Sequence, residues 1–324
     1  MADPAAPLGH RTSHVVVVLN WHGRADTLLC VESLLADPDA PHVLVVDNGS
    51  EDGTVEEVER RWPGVFTVQT GENLGFAGGM NRGITWARSH GATVITVLNN
   101  DTVVPVGTMG VLSAAAASGL CAISPEVRYR DHPDRVWFGG GTLAPPDWFP
   151  HHTPDAMLAP SHEGTRTVDV LSGCCVTASA EVWDRVGGFN ERYFLNFEDS
   201  EWSVRAARAG VRLQVRTDAV ILHAVSASFT GAAASLGTYY YVRNGLDFNR
   251  VAGGDRRSRR RFVTRVARDA AARRRRERAW RAAARELRMV AHGWADFSRG
   301  RMGPAPARLA RTTARWASAG AQPL

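Results

Sequence analysis

Two apolar runs in the first hundred residues end in side chains that can bind a metal ion or a phosphate. The run Val94–Leu98 is followed by Asn99-Asn100-Asp101, and the run Val43–Val46 is followed by Asp47-Asn48-Gly49-Ser50. Apolar runs of this length, bounded by polar turn residues, are typical of buried strands in a parallel sheet. Because open α/β sheets bind ligands beyond the carboxyl ends of their strands, both aspartates are candidate ligand-binding residues.

Each of these carboxylates also has a structural interpretation. Asp47 can accept hydrogen bonds from the turn that follows it, and Asp101 can cap a helix that starts after Pro105. Both roles are common for aspartate in such positions. Taken alone, either aspartate fits the structural role better, so the functional interpretation depends on the rest of the pattern.

A third acidic position lies later in the chain. Glu198-Asp199 stands at the start of a predicted helix, Asp199–Ala209, which ends at Gly210. A carboxylate there can act as a general base on a hydroxyl group. The alternative is that the two acids stabilise the positive end of the helix dipole.

The elements that position these residues follow from the apolar pattern. We expect an alternation of strands and helices over the first hundred residues, which argues for a parallel sheet with right-handed crossovers. A glycine-rich loop is expected before a helix that begins near Met80. The remaining predicted elements in this half are strands Val15–Leu19 and Phe66–Val68 and helices Asp26–Leu35 and Asp52–Arg61.

After Ala122 the pattern is less regular. Val136–Pro160 is rich in Gly, Pro, Trp and His, which predicts a long loop or a small hairpin over the sheet. Strands are expected at Val168–Thr177 and Val220–Leu222. A short helix is expected at Glu181–Val186, ended by two glycines.

Length and composition indicate one large domain with an appendage. The chain has 324 residues, of which 44% are hydrophobic. No apolar run approaches the roughly 20 residues of a membrane span. Residues 1–14 lack the pattern of a signal peptide, and we expect them to be disordered. The four cysteines have neither a disulfide pattern nor zinc-site spacing, so a reduced, cytoplasmic enzyme is expected.

The charge is unevenly distributed. All 38 basic residues are arginines, and residues 255–324 contain 20 of them with only five acids, a formal charge of +15 against −10 for residues 1–254. The change in composition falls near Gly253-Gly254. Within the basic part, Trp280, Leu287 and Trp294 share one helical face, which predicts a basic amphipathic helix.

The ordered set of motifs resembles the family 2 glycosyltransferases from about Val15 to Asn249. The resemblance is strongest to the bacterial rhamnosyltransferase-like branch, which builds cell-envelope or natural-product glycans. The matching segments are Val17–Gly23, Val45–Ser50, Asn73–Gly83, Leu98–Asp101, Gly187–Glu191 and Phe197–Trp202.

The resemblance implies the α/β GT-A fold, a Rossmann-like nucleotide-diphospho-sugar transferase with a mostly parallel central sheet and, here, a helical C-terminal extension. We expect a catalytic domain over residues 15–254. Its nucleotide-binding half would be residues 15–122 and its acceptor half residues 123–254. An arginine-rich helical extension would occupy residues 255–324.

The resemblance also implies a donor site. Asp47 would bind the nucleoside, together with the backbone around Leu19 and Asn20. Asn99, Asn100 and Asp101 occupy the position of the Asp-X-Asp motif of the family, and Asp101 would bind Mg²⁺ or Mn²⁺ that bridges the diphosphate. His223 would be a further metal or diphosphate contact.

Two features depart from the pattern of the family. The first aspartate of the metal motif is missing. Met80 stands where many relatives have an arginine facing the nucleotide, and Asn81 or Arg82 would replace that arginine.

The resemblance gives the acidic pair a catalytic role. In inverting transfer a carboxylate deprotonates the acceptor hydroxyl as it attacks the anomeric carbon, and we assign Asp199 as this base, with Glu198 as the rival. Gly173 would lie near the donor sugar. Trp202 would line the sugar or acceptor pocket, with a core position as the alternative. Arg243 would contact phosphate or acceptor. The alternative is that Arg243 belongs to an amphipathic helix whose aromatic face packs in the core.

The expected donor is a dTDP- or UDP-activated sugar, with a rhamnose-type 6-deoxyhexose favoured over UDP-linked galactofuranose, glucose or N-acetylglucosamine. The expected acceptor is a hydroxyl group, including one on a lipid diphosphate.

A nucleotidyltransferase is disfavoured because Asn20–Arg24 is not a glycine-rich basic loop. Nucleic acid is disfavoured because the tail lacks aromatics on its basic face. The basic helix either contacts the inner face of the plasma membrane or packs on the catalytic domain through Trp280, Leu287 and Trp294.

Overall fold

The structure, a computed structural model, describes residues 13–153, 158, 164–225, 232–276 and 280–318. The predicted disordered segment 1–14 lies outside these residues except for Ser13 and His14, and His14 already belongs to a strand. The chain forms two compact units. The first consists of Met1–Thr142, Pro150–Asn190 and Trp202–Val225, and the second of Leu143–Phe149, Glu191–Glu201 and Ser226–Leu324.

The first hundred residues form the predicted alternation of strands and helices. The four strands are parallel and lie in the order β3-β2-β1-β4. β1, β2 and β4 are rich in buried apolar side chains, which is the expected composition of strands covered on both faces, whereas the edge strand β3 is only partly buried. The elements are β1 His14–Asn20, α1 Arg24–Leu35, β2 His42–Asp47, α2 Thr54–Arg61, β3 Phe66–Gln69, α3 Gly75–Ser89 and β4 Val94–Asn99.

The rest of the first unit extends this sheet. Its elements are β5 Thr102–Val103, α4 Thr108–Ala117, β6 Cys121–Tyr129, β7 His132–Phe138, β8 Gly141–Thr142, β9 His151–His152, β10 Thr165–Thr167, β11 Cys175–Ser179, α5 Ala180–Val186, α6 Glu198–Arg208 and β12 Arg212–His223. The first four residues of α6, up to Glu201, belong to the second unit. The predicted small hairpin corresponds to β8 and β9, which pair with each other.

The sheet is mixed, although six of its strands share one direction. Its order is β10-β12-β6-β11-β4-β1-β2-β3, with β5 added beside β12 and β7 beside β6. Because β11 is antiparallel to both β4 and β6, and β12 is parallel to β6, the strands β6 and β12 run in the same direction as β1–β4. The carboxyl ends of β1, β2, β4 and β12 therefore lie along one edge.

Helices cover both faces of this sheet. On one face, buried residues of α1 and α2 pack on side chains of β1 and β2, including Val16, Val18 and Val45, and those of α4 pack on β4, β6, β11 and β12. On the other face, α3, α5 and α6 pack on the alternate side chains, including Val17 and Val46. Because successive side chains of a strand point to opposite faces, the same strands contribute side chains to both cores.

Two predicted strands have different bounds in the structure. The predicted strand Val168–Thr177 is reduced to β11, and the predicted Val220–Leu222 is only the end of the 12-residue β12. The pairing of β12 with β6 shifts register between Arg216 and Val220, which indicates a bulge. This irregularity explains why the strand has no simple alternating pattern. The short helix α5 agrees with the prediction, since the Ser179 side chain caps its start and Gly187, with φ +78°, ends it.

The glycine-rich loop predicted at Gly71–Gly79 is a loop only as far as Leu74, and its second half is helical. Helix α3 begins at Gly75, so the prediction that it begins near Met80 was wrong. The reason is close packing, because a Cβ atom at Gly79 would overlap Leu19 and one at Gly83 would overlap Val17. The glycines let α3 lie directly on β1, and Met80 is buried in the same core.

The second unit contains the helices α7 Ala232–Ala252, α8 Arg256–Arg276, α9 Trp280–Ser298 and α10 Ala307–Ser318. Tyr239 and Tyr240 of α7 pack with Met289 and Leu309. A Cβ atom at Gly293 would lie 2.8 Å from the backbone oxygen of Tyr239, so α7 and α9 approach closely there. The helical C-terminal extension is confirmed, and α7 belongs to the same unit. None of the helices in the described ranges has the length and hydropathy of a membrane span.

We expect Gly83→Ala to lower the free energy of unfolding by about 1–3 kcal/mol, because Val17 is β-branched and buried and cannot move away from the added methyl group. Gly110→Ala is the matched control. It lies within α4 with no heavy atom near its Cβ position and should raise stability by about 0.5–1 kcal/mol. Urea unfolding of both variants measures this, and equal effects would contradict the close packing of α3 on β1.

Candidate active site

The buried amide of Asn20 connects the ends of three elements. Asn20 is the last residue of β1, and its Nδ2 donates hydrogen bonds to Asp47 Oδ1 and Ser50 Oγ, both at 2.8 Å. Its Oδ1 accepts a hydrogen bond of 2.9 Å from the Thr27 hydroxyl in α1. The side chain therefore holds the turn after β2 and the start of α1 against the end of β1.

Asp47 serves the turn that follows it. Its carboxylate accepts hydrogen bonds from the Ser50 hydroxyl and from the Ser50 backbone N–H, the latter at 3.3 Å. The turn-capping interpretation is thus confirmed. Asp47 and Leu19 are both mostly buried at the strand ends, and their contact with a nucleoside stays a prediction.

Asn48 has a structural role that the sequence analysis missed. Its Nδ2 donates to the backbone oxygen of Gly75 at 3.0 Å, and its Oδ1 accepts from the backbone N–H of Leu74, also at 3.0 Å. It therefore fixes the loop that enters α3. The signal available in the sequence was an asparagine in a turn directly after a strand, a residue type that bonds nearby backbone.

The asparagines of the metal motif tie β4 to its neighbours. The backbone N–H of Asn99 donates to the oxygen of Cys174 at 2.9 Å, which places the turn around Gly173 beside the end of β4. The Asn100 Nδ2 donates to the Thr27 hydroxyl at 2.9 Å. Asn99, Asn100 and Gly173 are therefore brought together at the sheet edge where Asn20 also lies.

Asp101 and His223 are brought into direct contact. The distance between Asp101 Oδ1 and His223 Nε2 is 2.9 Å. The strand β5, which follows Asp101, pairs with the end of β12, and the Ala224 N–H donates to the Asp101 backbone oxygen at 3.0 Å. The Trp137 ring packs edge-on against the imidazole with centroids 4.7 Å apart. The pairing of two strands thus positions the two side chains.

The separation of Asp101 Oδ1 and His223 Nε2 is that of a hydrogen bond, and it also suits two neighbouring ligands of one metal ion. Two adjacent ligands of an octahedral ion with bonds of about 2.1 Å lie about 3 Å apart, close to the separation of Asp101 Oδ1 and His223 Nε2. No group of three or more metal-binding side chains occurs among the described residues. The protein would supply two ligands, which fits an ion whose other positions are taken by phosphate oxygens and water.

Asn81 and Arg82 differ in what they contact. The Asn81 side chain accepts a hydrogen bond from the Phe189 N–H and donates one to the Phe189 oxygen, both at 2.8 Å. It joins α3 to the Gly187–Glu191 motif, and its contact with the nucleotide stays a prediction. Arg82 is exposed on α3. Its role at the nucleotide stays a prediction.

Trp202 and Arg243 are structural residues. Trp202 is fully buried, donates from Nε1 to the Gly187 oxygen at 2.8 Å and packs on Trp183, so it is a core residue and not part of a sugar pocket. The guanidinium of Arg243 is buried in the helical unit. It donates to the Tyr239 hydroxyl at 3.1 Å and to the Gly303 oxygen at 2.6 Å, which leaves it unsuited to bind phosphate.

Glu198 and Asp199 have different surroundings at the start of α6. Glu198 is buried, its Oε2 has no hydrogen-bond partner in the described part of the chain, and burial, with Asp199 next, raises the pKa of its carboxyl well above the ordinary value. Asp199 is only partly buried and accepts a hydrogen bond of 2.6 Å from the Ser200 N–H. Both residues belong to the second compact unit.

The motifs at the strand ends match a family model. The model described as Glycosyl transferase family 2 matches residues 13–177, just over half of the chain. The chain belongs to this family. It is a family 2 glycosyltransferase, as the sequence motifs predicted.

Curated relatives of this glycosyltransferase include enzymes of glycan synthesis. The chain is 30% identical over 204 residues to the N-acetylglucosaminyl-diphospho-decaprenol L-rhamnosyltransferase of Mycobacterium tuberculosis, which covers 56% of this chain and 66% of the relative. It is 24% identical over 183 residues to the low-salt glycan biosynthesis hexosyltransferase Agl10 of Haloferax volcanii, covering 52% of this chain and 54% of the relative. The chain thus spans less than two thirds of the length of each.

Solved glycosyltransferases share the fold. GalNAc-T7, in a crystal structure with UDP, GalNAc and Mn²⁺, matches with a TM-score of 0.55 at 13% identity, covering 81% of this chain and 57% of the other. The mannosyltransferase PcManGT of Pyrobaculum calidifontis, in complex with GDP-Man and Mn²⁺, matches with a TM-score of 0.54 at 17% identity, covering 99% and 82%. The predicted GT-A fold is confirmed.

For this glycosyltransferase, we expect Asn81→Ala to lower the free energy of unfolding by about 1–3 kcal/mol, because it leaves the backbone polar groups of Phe189 unpaired. Affinity of the folded protein for nucleoside diphosphates should stay within about threefold. Arg82→Ala, on the exposed side of the same helix, is the control and should change stability by less than about 0.5 kcal/mol. Thermal unfolding and calorimetric titration separate the two effects. A large loss of affinity in a stable Asn81→Ala protein would instead support a role of Asn81 in nucleotide binding.

Proposed function

We propose that this protein transfers a sugar, with inversion, from a dTDP- or UDP-activated donor to a hydroxyl acceptor, using Mg²⁺ or Mn²⁺. The observation that carries the proposal is the Asp101–His223 pair at the edge of the sheet where β1, β2 and β4 also end. A carboxylate and an imidazole that converge at metal-ligand spacing, beside amide-rich strand ends, suit an ion that holds a diphosphate.

A rhamnose-type donor and a lipid-diphosphate-linked acceptor are our first choices. Their support is the 30% identity to the rhamnosyltransferase whose printed name includes such an acceptor. The nucleoside would contact Asp47 and the backbone of Leu19 and Asn20, which the buried hydrogen bonds of Asn20 hold in place without a ligand. A bound metal ion would neutralise the charge that develops on the departing diphosphate.

We propose Asp199 as the general base. A base must be ionised and must reach the acceptor hydroxyl. Asp199 is partly exposed, whereas Glu198 is buried with a raised pKa and therefore retains its proton to higher pH. A proton on Glu198 would also avoid placing two negative charges side by side at the start of α6.

We expect Asp101→Asn to weaken Mn²⁺-dependent binding of the preferred nucleoside diphosphate by on the order of 100-fold, because the ion loses its carboxylate ligand. Binding of UDP, dTDP, GDP and ADP, each with and without Mn²⁺, is measured by calorimetry. Asp131→Asn removes the same charge from an exposed turn and is the control, for which no change is expected. If Asp101→Asn bound nucleotide like the control, Asp101 and His223 would form a structural ion pair only.

We expect Asp199→Asn to reduce transfer by roughly 100-fold or more, with nucleoside diphosphate affinity unchanged, because only the deprotonation step is lost. Glu198→Gln is the matched variant, since glutamine resembles the neutral form of Glu198, and it should keep most of the activity. Transfer from dTDP-rhamnose to a polyprenyl-diphosphate N-acetylglucosamine is measured at saturating donor. Loss of activity in Glu198→Gln alone would make Glu198 the base.

The same pair gives a pH dependence of stability. Because the pKa of Glu198 is raised in the folded state, its contribution favours folding below the ordinary value of 4.5 and is lost as the pH rises toward the raised value. Glu198→Gln does not titrate. The stability of this variant relative to the original protein should therefore increase from pH 4.5 upward, as measured by urea unfolding at several pH values. A difference that did not vary with pH would contradict the raised pKa.

A further inference from the structure

The second unit, which contains α7–α10, has a basic cleft. The cleft has a volume of about 510 Å³ and lies along α9 and the segment that leads into α10. On α9, residues 288, 292 and 295 are spaced by four and three positions and so share one face, and residue 299, directly after the helix, continues this spacing. The lining residues are Arg288, Ala291, His292, Ala295, Arg299, Arg301 and Arg308.

The positive charge of the cleft is largely uncompensated. Arg288 and Arg308 have no ion pair or side-chain hydrogen bond with any residue in the described ranges. Arg301 lies 3.6 Å from Asp296, whose other carboxylate oxygen already accepts from the Tyr239 hydroxyl at 2.9 Å. The pKa of His292 is lowered, first by burial and next by Arg288; Asp296 opposes this shift, and Arg308 adds to it. The two arginines thus act on the same small volume.

Two apolar side chains are exposed next to this cleft. Leu287 is 39% exposed and Trp294 is 54% exposed, and they lie two turns apart on the same face of α9, with the exposed Ala291 between them. The Trp280 side chain, which was expected to share this face, lies outside the described side chains. The apolar face and the arginine face of α9 adjoin at Ala291, which also lines the cleft.

We propose that this cleft binds the phosphate of an anionic phospholipid at a membrane surface. Arginine binds phosphate oxygens through paired N–H groups, and arginines that converge from α9, α10 and the segment between them can surround one headgroup. Leu287 and Trp294 would enter the interfacial layer, where tryptophan is stable because its ring is apolar and its N–H is polar. A soluble phosphate ester would make no use of these exposed side chains.

The test compares two double variants of the full chain in vesicle co-sedimentation. Arg288→Ala/Arg308→Ala removes two charges from the cleft, and Arg256→Ala/Arg260→Ala removes two exposed charges from α8 of the same unit. The vesicles are phosphatidylcholine alone or with about a third phosphatidylglycerol. Each arginine near an anionic surface contributes about 1 kcal/mol, so we expect binding to the anionic vesicles to weaken roughly 30-fold in the cleft variant and less than threefold in the α8 variant. Equal losses would overturn the proposal, because they would indicate diffuse attraction to the tail.

A second comparison tests the apolar contribution. Trp294→Gln should weaken binding to anionic vesicles about tenfold or more, whereas Val106→Gln, at an exposed apolar position of the first unit, should have no effect. An unchanged Trp294→Gln protein would overturn the membrane contact. Unaltered thermal unfolding and nucleoside diphosphate binding verify that the variants are folded, and they keep this test separate from the proposed transferase activity.

Soluble ligands test whether the cleft binds the phosphate of a lipid headgroup, of a small soluble molecule or of RNA. Calorimetry with glycerol 3-phosphate, inorganic pyrophosphate and a short single-stranded RNA is performed on the same variants. Weak binding of glycerol 3-phosphate, lost in Arg288→Ala/Arg308→Ala, together with tight vesicle binding supports the proposal. If pyrophosphate or RNA bound tightly through the cleft and vesicles did not bind, the lipid assignment would be wrong.

Discussion

The buried amide of Asn20 is the interaction on which the arrangement of the strand ends depends. β1 lies between β2 and β4, so its last side chain must be satisfied inside the protein. An asparagine has two donor hydrogens and one acceptor oxygen, and here they bind Asp47, Ser50, the Gly23 N–H and Thr27. A lost partner in this position would cost about 1–3 kcal/mol. The turn after β2 and the start of α1 are consequently fixed before any ligand binds.

Polar side chains at the candidate site fall into two groups that residue type alone does not separate. Asn20, Asn48, Asn81 and Arg243 have their donors and acceptors used by other parts of the protein. In contrast, His223 Nδ1 and Glu198 Oε2 are buried with no hydrogen-bond partner among the described residues. A buried polar atom in that condition costs free energy, which a structural role does not explain. These two residues are therefore better evidence for a functional site than the larger set of polar residues around them.

The sequence predicted the first half of the fold well because its strands are continuous apolar runs with polar ends. It failed at Gly75–Gly79, where glycine marks close contact with β1 and not a turn, and at β12, where a bulge interrupts the pattern. At the site, the positions of Asp101 and His223 were predictable as strand ends. The roles of Trp202 and Arg243 were not, because the aromatic and basic residue types are equally suited to a core and to a pocket, and only their partners decide.

For the arginine-rich C-terminal part, the sequence likewise predicts how much charge is present but not where it is concentrated. Composition gives residues 255–324 a formal charge of +15, but it does not tell where that charge is concentrated. Many arginines of α8 are exposed along its surface, where solvent and salt screen them. The arginines of α9, the following segment and α10 converge on one volume, and the nearby Asp296 is engaged by Tyr239. Convergence of this kind needs two helices to be packed correctly, and buried contacts of Met289 and Leu309 with the tyrosines of α7 provide that packing. The anion site thus depends on an apolar core that carries no charge.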